Sequence, residues 1–220
     1  MTKQINTHQM QTRSGQARKK RGDGGERRDE IIAAARKLFA KEGADRTTMR
    51  SVADSVGISA AAVYGYFPDK TALYDAAAEV AFQELGRHFA LAAKTSDPVA
   101  RLHAMMLSYV RFGEAHPDAY TIAFSPSIEH VTGLIAVPND GLAKEVGAQT
   151  FDAFHRAVTE VPGLTSVDDS ERLARVIWAA GHGLVVLSRS KSDALPDPIE
   201  LYVDTLFQMI MARAALESKA

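Results

Sequence analysis

The sequence contains no cysteine. That absence alone excludes disulfide scaffolds, thiolate zinc sites, cysteine nucleophiles and thiol-based redox sensing. No run of about 18 apolar residues occurs, the length needed to cross a bilayer, and the polar start, MTKQINTHQMQTRSG, lacks the apolar centre of an export signal. A cytoplasmic location is expected. Catalytic signatures are equally scarce: there is no GxSxG, no HExxH, no phosphate-binding P-loop and no glycine-rich dinucleotide turn after a strand. The histidines are scattered, and the nearest approach to a cluster, His116 and His130 with Glu114 and Glu129, reads as solvated side chains. No catalytic residue, metal or cofactor is expected.

What is present points elsewhere. At 46% hydrophobic and 24% charged residues, the chain has the composition of a soluble globular protein, and 220 residues suffice for one small and one larger lobe. The net charge of -1 hides an asymmetry. Residues 1–75 hold 14 Lys and Arg against 9 Asp and Glu, whereas residues 76–220 hold 12 against 18. A basic front and an acidic rear suggest that the front meets an anionic partner.

Residues 1 to about 24, with the stretch RSGQARKKRGDG, are polar and free of aromatics, so they cannot bury enough apolar area to order themselves. They read as a basic tail whose Arg18, Lys19, Lys20 and Arg21 either follow a phosphate backbone or remain solvated. From Glu26, Ile31, Ile32, Ala35, Leu38 and Phe39 recur at helical spacing, and Gly43 stands at the C-terminal cap. Thr47 or Thr48 caps a short second helix with Met49, Val52, Ala53 and Val56 on its buried face, ended by Gly57. Ser59 caps a third that must stop before Pro68, leaving room for about seven residues. Asp69 caps a long fourth helix through Leu73, Ala77, Val80, Ala81 and Leu85, and Asp97-Pro98 opens a fifth that runs to about His116. Further helical segments are predicted at 118–125, 139–161, 167–190 and 198–217, with an irregular loop over 125–141. No stretch shows the period-2 alternation of a strand. The fold class is therefore all-α, about nine helices, with lobes at 25–85 and 86–220.

Three helices in about 40 residues, the second and third short and joined across a glycine, match a helix-turn-helix. The third would project its N-terminal part into a major groove. Ile58, Val63 and Phe67 are its expected anchors, leaving Ser59, Ala60, Ala61, Ala62, Tyr64, Gly65 and Tyr66 on or near the open face.

The stretch TTMRSVADSVGISAAAVYGYFPDKTALYDAA, preceded by RDEIIAAARKLFAKEGADR, resembles the DNA-binding helices of TetR-family transcriptional repressors. Phe39, Gly43, Thr48, Ala53, Gly57, Val63, Tyr64, Tyr66, Phe67, Lys70 and Leu73 carry the likeness. The resemblance implies that Thr48, Tyr64, Tyr66 and Lys70 hold phosphates while the first residues of the third helix face base edges. Alanines at 60, 61 and 62 can touch only thymine methyls, so base readout would lean on Ser59, Arg50, Tyr64 or DNA shape.

Further on, VRFGEAHPDAYTIAF and VIWAAGHGLVVL resemble the ligand-binding domain of a TetR subgroup marked by Trp-His-Gly, here Trp178, His182 and Gly183. Trp178 and His182 share a helix face one turn apart. They either border a pocket for a mostly apolar ligand or pack in a helical core. Met105, Met106, Tyr109, Phe112, Tyr120, Phe124, Phe151, Phe154 and His155 would supply further lining, or plain core. The last two helices, with Leu173, Ile177, Ala180, Leu184 and Leu187 on one and Val203, Leu206, Phe207, Ile210 and Met211 on the other, resemble the pair that forms a four-helix interface in TetR dimers. The resemblance implies a homodimeric repressor that binds operator DNA and is released by a small-molecule effector. The alternatives are an activator or ligand-blind regulator of the same fold, or a helical small-molecule-binding protein or enzyme.

Overall fold

Among the residues that the computed structural model describes, 23–124, 141–164, 167–190 and 193–217, every regular element is a helix. The elements are α1 (Asp23–Glu42), α2 (Met49–Ser55), α3 (Ala60–Tyr64), α4 (Lys70–Ala92), α5 (Pro98–Ala115), α6 (Pro117–Phe124), α7 (Leu142–Thr159), α8 (Val167–Ser188) and α9 (Ile199–Glu217). The tail expected up to residue 24 gives way at Asp23, where α1 begins, and Gly141 at the end of the expected loop is the N-cap residue of α7. The rest of that tail and loop, with Arg18, Lys19, Lys20, Arg21, Glu129 and His130, lies outside the described residues.

The helix ends follow local chemistry. The Thr48 side chain accepts from the Ser51 amide and the Ser51 hydroxyl accepts in return from the Thr48 amide, a reciprocal capping box. Ser59, Asp69 and Asp97 each accept the amide three residues on, and Pro98 takes the first position of α5, where no amide is needed. Gly57, which separates α2 from α3, has φ +68°, a conformation glycine adopts without steric cost.

The 23-residue α4, about 35 Å long, is the axis of the molecule. It packs on α1, α5, α6 and α7. Ala76, Ala77, Ala78 and Ala81 are buried on it, and their small side chains let neighbours approach closely. α4 runs unbroken through the expected lobe boundary at 85/86, and one cluster of buried residues extends from Ile31 to Ala214. The lobes thus share a helix rather than a linker. α8 packs on α5, α7 and α9. No helix among the described residues is long and apolar enough to cross a membrane.

Candidate functional site

α3 is a short platform held from one side only. Val63 is fully buried and Phe67 nearly so, fixing it against the core, while Tyr64 is 53% exposed. The helix proper is five residues, shorter than the seven the sequence allows, but the Phe67 amide still donates to the Val63 carbonyl, so the spiral continues to the anchor. Ser59 and Ala61 are exposed, Ala60, Ala62 and Ile58 half-buried, and Arg50 lies exposed on α2. Among the described residues neither Arg50 nor the hydroxyls of Tyr64 and half-buried Tyr66 has a polar partner, so all three can donate outward. Thr48 and Ser59, by contrast, already spend acceptor capacity as caps.

Lys70 has a role the sequence does not show. Its ammonium donates to the carbonyls of Ala44 (2.8 Å) and Asp45 (3.4 Å), tying the start of α4 to the turn after α1. Arg28 lies 5.2 Å over the Phe67 ring, a further cation on this side of the molecule. Arg36 on α1 bridges Glu84 on α4 (2.8 Å) and Asp118 on α6 (2.9 Å). Burial opposes its charge, but the two carboxylates outweigh that and raise its pKa. Burial likewise works against the Asp118 carboxylate, yet Arg36 holds it below the ordinary value. Sequence separations of 48 and 82 residues leave no periodic signal by which this triad could have been found.

In the larger lobe, Tyr109, Tyr120, Phe124, Phe151, Trp178 and His182 come together as one cluster of aromatic rings. The Tyr120 hydroxyl shares a hydrogen bond of 2.6 Å with His182 Nδ1, and the Tyr109 hydroxyl lies 3.3 Å from the same atom. Burial lowers the His182 pKa, favouring the neutral imidazole, and burial pushes the Tyr120 phenol up to about 12. The cluster is closely packed: a void of about 20 Å³ bordered by Tyr109, Trp178, Gly181 and Leu206 lies beside it, room for a water at most.

Of the other expected lining residues, Met106 and Phe154 border that void, Phe112 lies apart from the cluster, and His155 reaches it through Phe151. Phe112 is fully buried with its ring against His88 and His116, so it is core. His155 stacks on Phe151 and bonds the Ser170 hydroxyl. Met105 alone reaches a larger cavity, a cleft of about 370 Å³ between α4 and α7 lined also by Phe82, Gly86, Phe89, Arg101 and Arg156. The small residues Gly86 and Ala90 on α4 and Ala93 at its C-cap, with Ala153 and Ala157 on α7, recur at three- and four-residue spacing and are the one sequence signal of that gap.

The residues expected at a dimer face divide between core and surface: Leu187 is exposed, while others turn inward. Ile177 and Ile210 are buried in the chain's own core, and Leu184 and Leu206 border the small internal void. Leu173 and Ala180 are half-buried. One residue of offset turns a helix by about 100°, so an apolar helix offers two faces to the same pattern. The face left open carries Val176 and Leu187 on α8 and Leu201, Met209 and Leu216 on α9, each more than two-fifths exposed.

With this geometry in hand, comparison with known proteins is decisive. The family model for bacterial regulatory proteins of the tetR family matches residues 31–77, and the Tetracyclin repressor-like C-terminal domain matches residues 102–213. The chain belongs to the TetR family. It is 29% identical over 208 residues to the HTH-type transcriptional regulator TtgR of Pseudomonas putida, spanning 87% of this chain and 94% of that protein. Over a stretch of 93 residues it is 38% identical to the nucleoid occlusion factor SlmA of Escherichia coli, spanning 41% of this chain and 47% of SlmA. A solved structure of a protein with unknown function from Rhodococcus sp. RHA1 superposes with a TM-score of 0.67 at 27% identity, covering 83% of this chain and 92% of that one. TetR-family members are transcriptional regulators, typically DNA-binding repressors, and the chain is one of these regulators rather than an enzyme.

Proposed function

We propose that the chain is a cytoplasmic, ligand-responsive repressor that binds a palindromic operator as a homodimer and is released by a small, largely apolar effector. The observation that carries this reading is α3: anchored by Val63 and Phe67, it presents Ser59, Ala61 and Tyr64 outward, with Arg50 beside it on α2. Tyr64, Tyr66 and the N-terminus of α4 suit phosphates, while the alanines leave base readout to Ser59, Arg50 and DNA shape. Lys70 reaches a phosphate only by sharing its ammonium with the Ala44 and Asp45 carbonyls. Two copies are needed to read two half-sites one helical turn apart, about 34–36 Å, and the exposed apolar face of α8 and α9 supports pairing through it. Trp178, His182 and Gly183 support a sensing domain of the Trp-His-Gly type.

The test is a gel shift with the DNA upstream of the chain's own gene at two salt concentrations. Operator binding should weaken steeply with salt, each neutralised phosphate contributing about -0.9 to the log-log slope. A folded protein that shifts no DNA at low salt sinks the reading.

A further inference from the structure

The α4–α7 cleft has a chemistry of its own. Its floor is apolar, with Phe82, Phe89, Met105 and Ala157 at the bottom, each a buried core residue that still borders the opening. The space exists because Gly86 and Ala90 on α4, its C-cap residue Ala93 and Ala153 on α7 carry too little side chain to fill it; a methyl at Gly86 would already touch the Thr150 hydroxyl at 3.6 Å. At about 370 Å³ it falls within the range of small-molecule sites.

The rim decides the sign of the occupant. Arg101 is spent: its Nε and Nη2 donate to the Thr95 and Ser96 carbonyls, both at 2.9 Å, and its Nη1 pairs with Glu160. The amides of Gln83 and Gln149 donate to Glu79 and Glu145 one turn back, and the Thr150 hydroxyl donates to the Val146 carbonyl. Arg156 remains: exposed, on the rim, and among the described residues its guanidinium has no partner. A guanidinium beside an apolar floor recognises a carboxylate attached to a hydrocarbon body.

We propose that this cleft, and not the packed aromatic cluster around Trp178, is the effector site, and that it takes an anionic amphiphile, a small carboxylic acid with its apolar body on Phe82, Phe89 and Met105 and its head on Arg156. The assignment deepens the repressor reading and rests on it. α4 connects the two ends: its C-terminal half forms one wall of the cleft, and its first residue, Lys70, holds the turn beside the DNA-reading helices. An occupant that favours a wider α4–α7 spacing shifts the lean of that helix, and its effect on DNA equals its differential affinity for the two arrangements.

The experiment is calorimetric titration of the full chain with octanoate, 1-octanol and octylammonium, repeated on Arg156→Gln and Ala153→Phe. Octanoate should bind best. Arg156→Gln should weaken octanoate about tenfold or more, the worth of one charge-assisted contact, and leave octanol unchanged. Ala153→Phe fills the cleft and should remove both; thermal melting confirms that it folds, and if it does not, Arg156→Gln, at an exposed position, still decides. Octylammonium binding as tightly as octanoate, insensitivity to Arg156→Gln, or no binding by any probe overturns the assignment. A chain that shifts operator DNA but ignores every probe refutes the cleft and leaves the repressor standing. One that binds octanoate through Arg156 but never shifts DNA upholds the cleft and refutes the repressor.

Discussion

Replacing Arg36 by methionine keeps most of the apolar stem and removes the charge that ties α1 to α4 and α6. Arg36, Glu84 and Asp118 have side chains 16%, 22% and 25% exposed, so the carboxylates left behind are mostly out of water. Glu84 is the more vulnerable, because its Oε2 is already buried without a partner and Arg36 binds only Oε1. Two charge-assisted hydrogen bonds at about 1.5–3 kcal/mol each, discounted for residual solvent contact, give a loss of about 2–4 kcal/mol near neutral pH. The pH dependence follows from the sign of the shift. Asp118 has a lowered pKa in the folded chain, so its contribution is present above the unfolded value of 3.8 and lost as pH falls through the folded value. Without Arg36, Asp118 loses the charge that holds its pKa down, while burial and the backbone amides of Ala119 and Asp118 still act on it, so it takes up its proton at a higher pH than in the parent. Urea denaturation at about pH 7 and about pH 3 should therefore show a deficit that narrows in acid. A variant within about 0.5 kcal/mol of the parent at neutral pH, or a deficit that does not change with pH, refutes the reasoning.

Gly113→Ala places a methyl 2.4 Å from Val185 Cγ1 and 3.1 Å from the Tyr120 ring, so it should cost about 1–3 kcal/mol in thermal or urea unfolding, and Val185→Ala in the same chain should recover part of it. Val176→Lys combined with Met209→Lys alters two side chains that are 58% and 66% exposed, so the fold should survive while light scattering gives the mass of a monomer and operator binding fails. Tyr64→Phe should weaken operator binding without changing stability, whereas Lys70→Met should weaken both, because its ammonium holds the Ala44 and Asp45 carbonyls; equal melting of the two variants counts against that division.

Helices and caps were legible in the sequence because their causes are local. Thr48, Ser59, Asp69 and Asp97 accept the amides their positions imply, and Gly43 and Gly57 take the positive φ a helix end and a turn require. Side-chain destinations were less legible. Ile177 and Ile210 face inward because α8 and α9 are apolar on more than one side, and spacing alone cannot choose between faces. Phe112 and Trp178 are both aromatic at helical spacing, yet one packs against His88 and the other joins the ring cluster. A cleft is a lack of atoms, so apart from a run of small residues it leaves no mark in the chain. Lys70 and Arg36 owe their partners to tertiary placement, which no window of sequence contains.

Trp178 is the only tryptophan in the chain, and it sits on α8 with its ring against Phe124, Phe151 and His182. Light absorbed at the red edge of the protein spectrum is therefore taken up in the larger lobe alone, and α1 to α3 emit nothing there. A change in emission on adding operator DNA would be a signal that has travelled from one lobe to the other, recorded with no label attached.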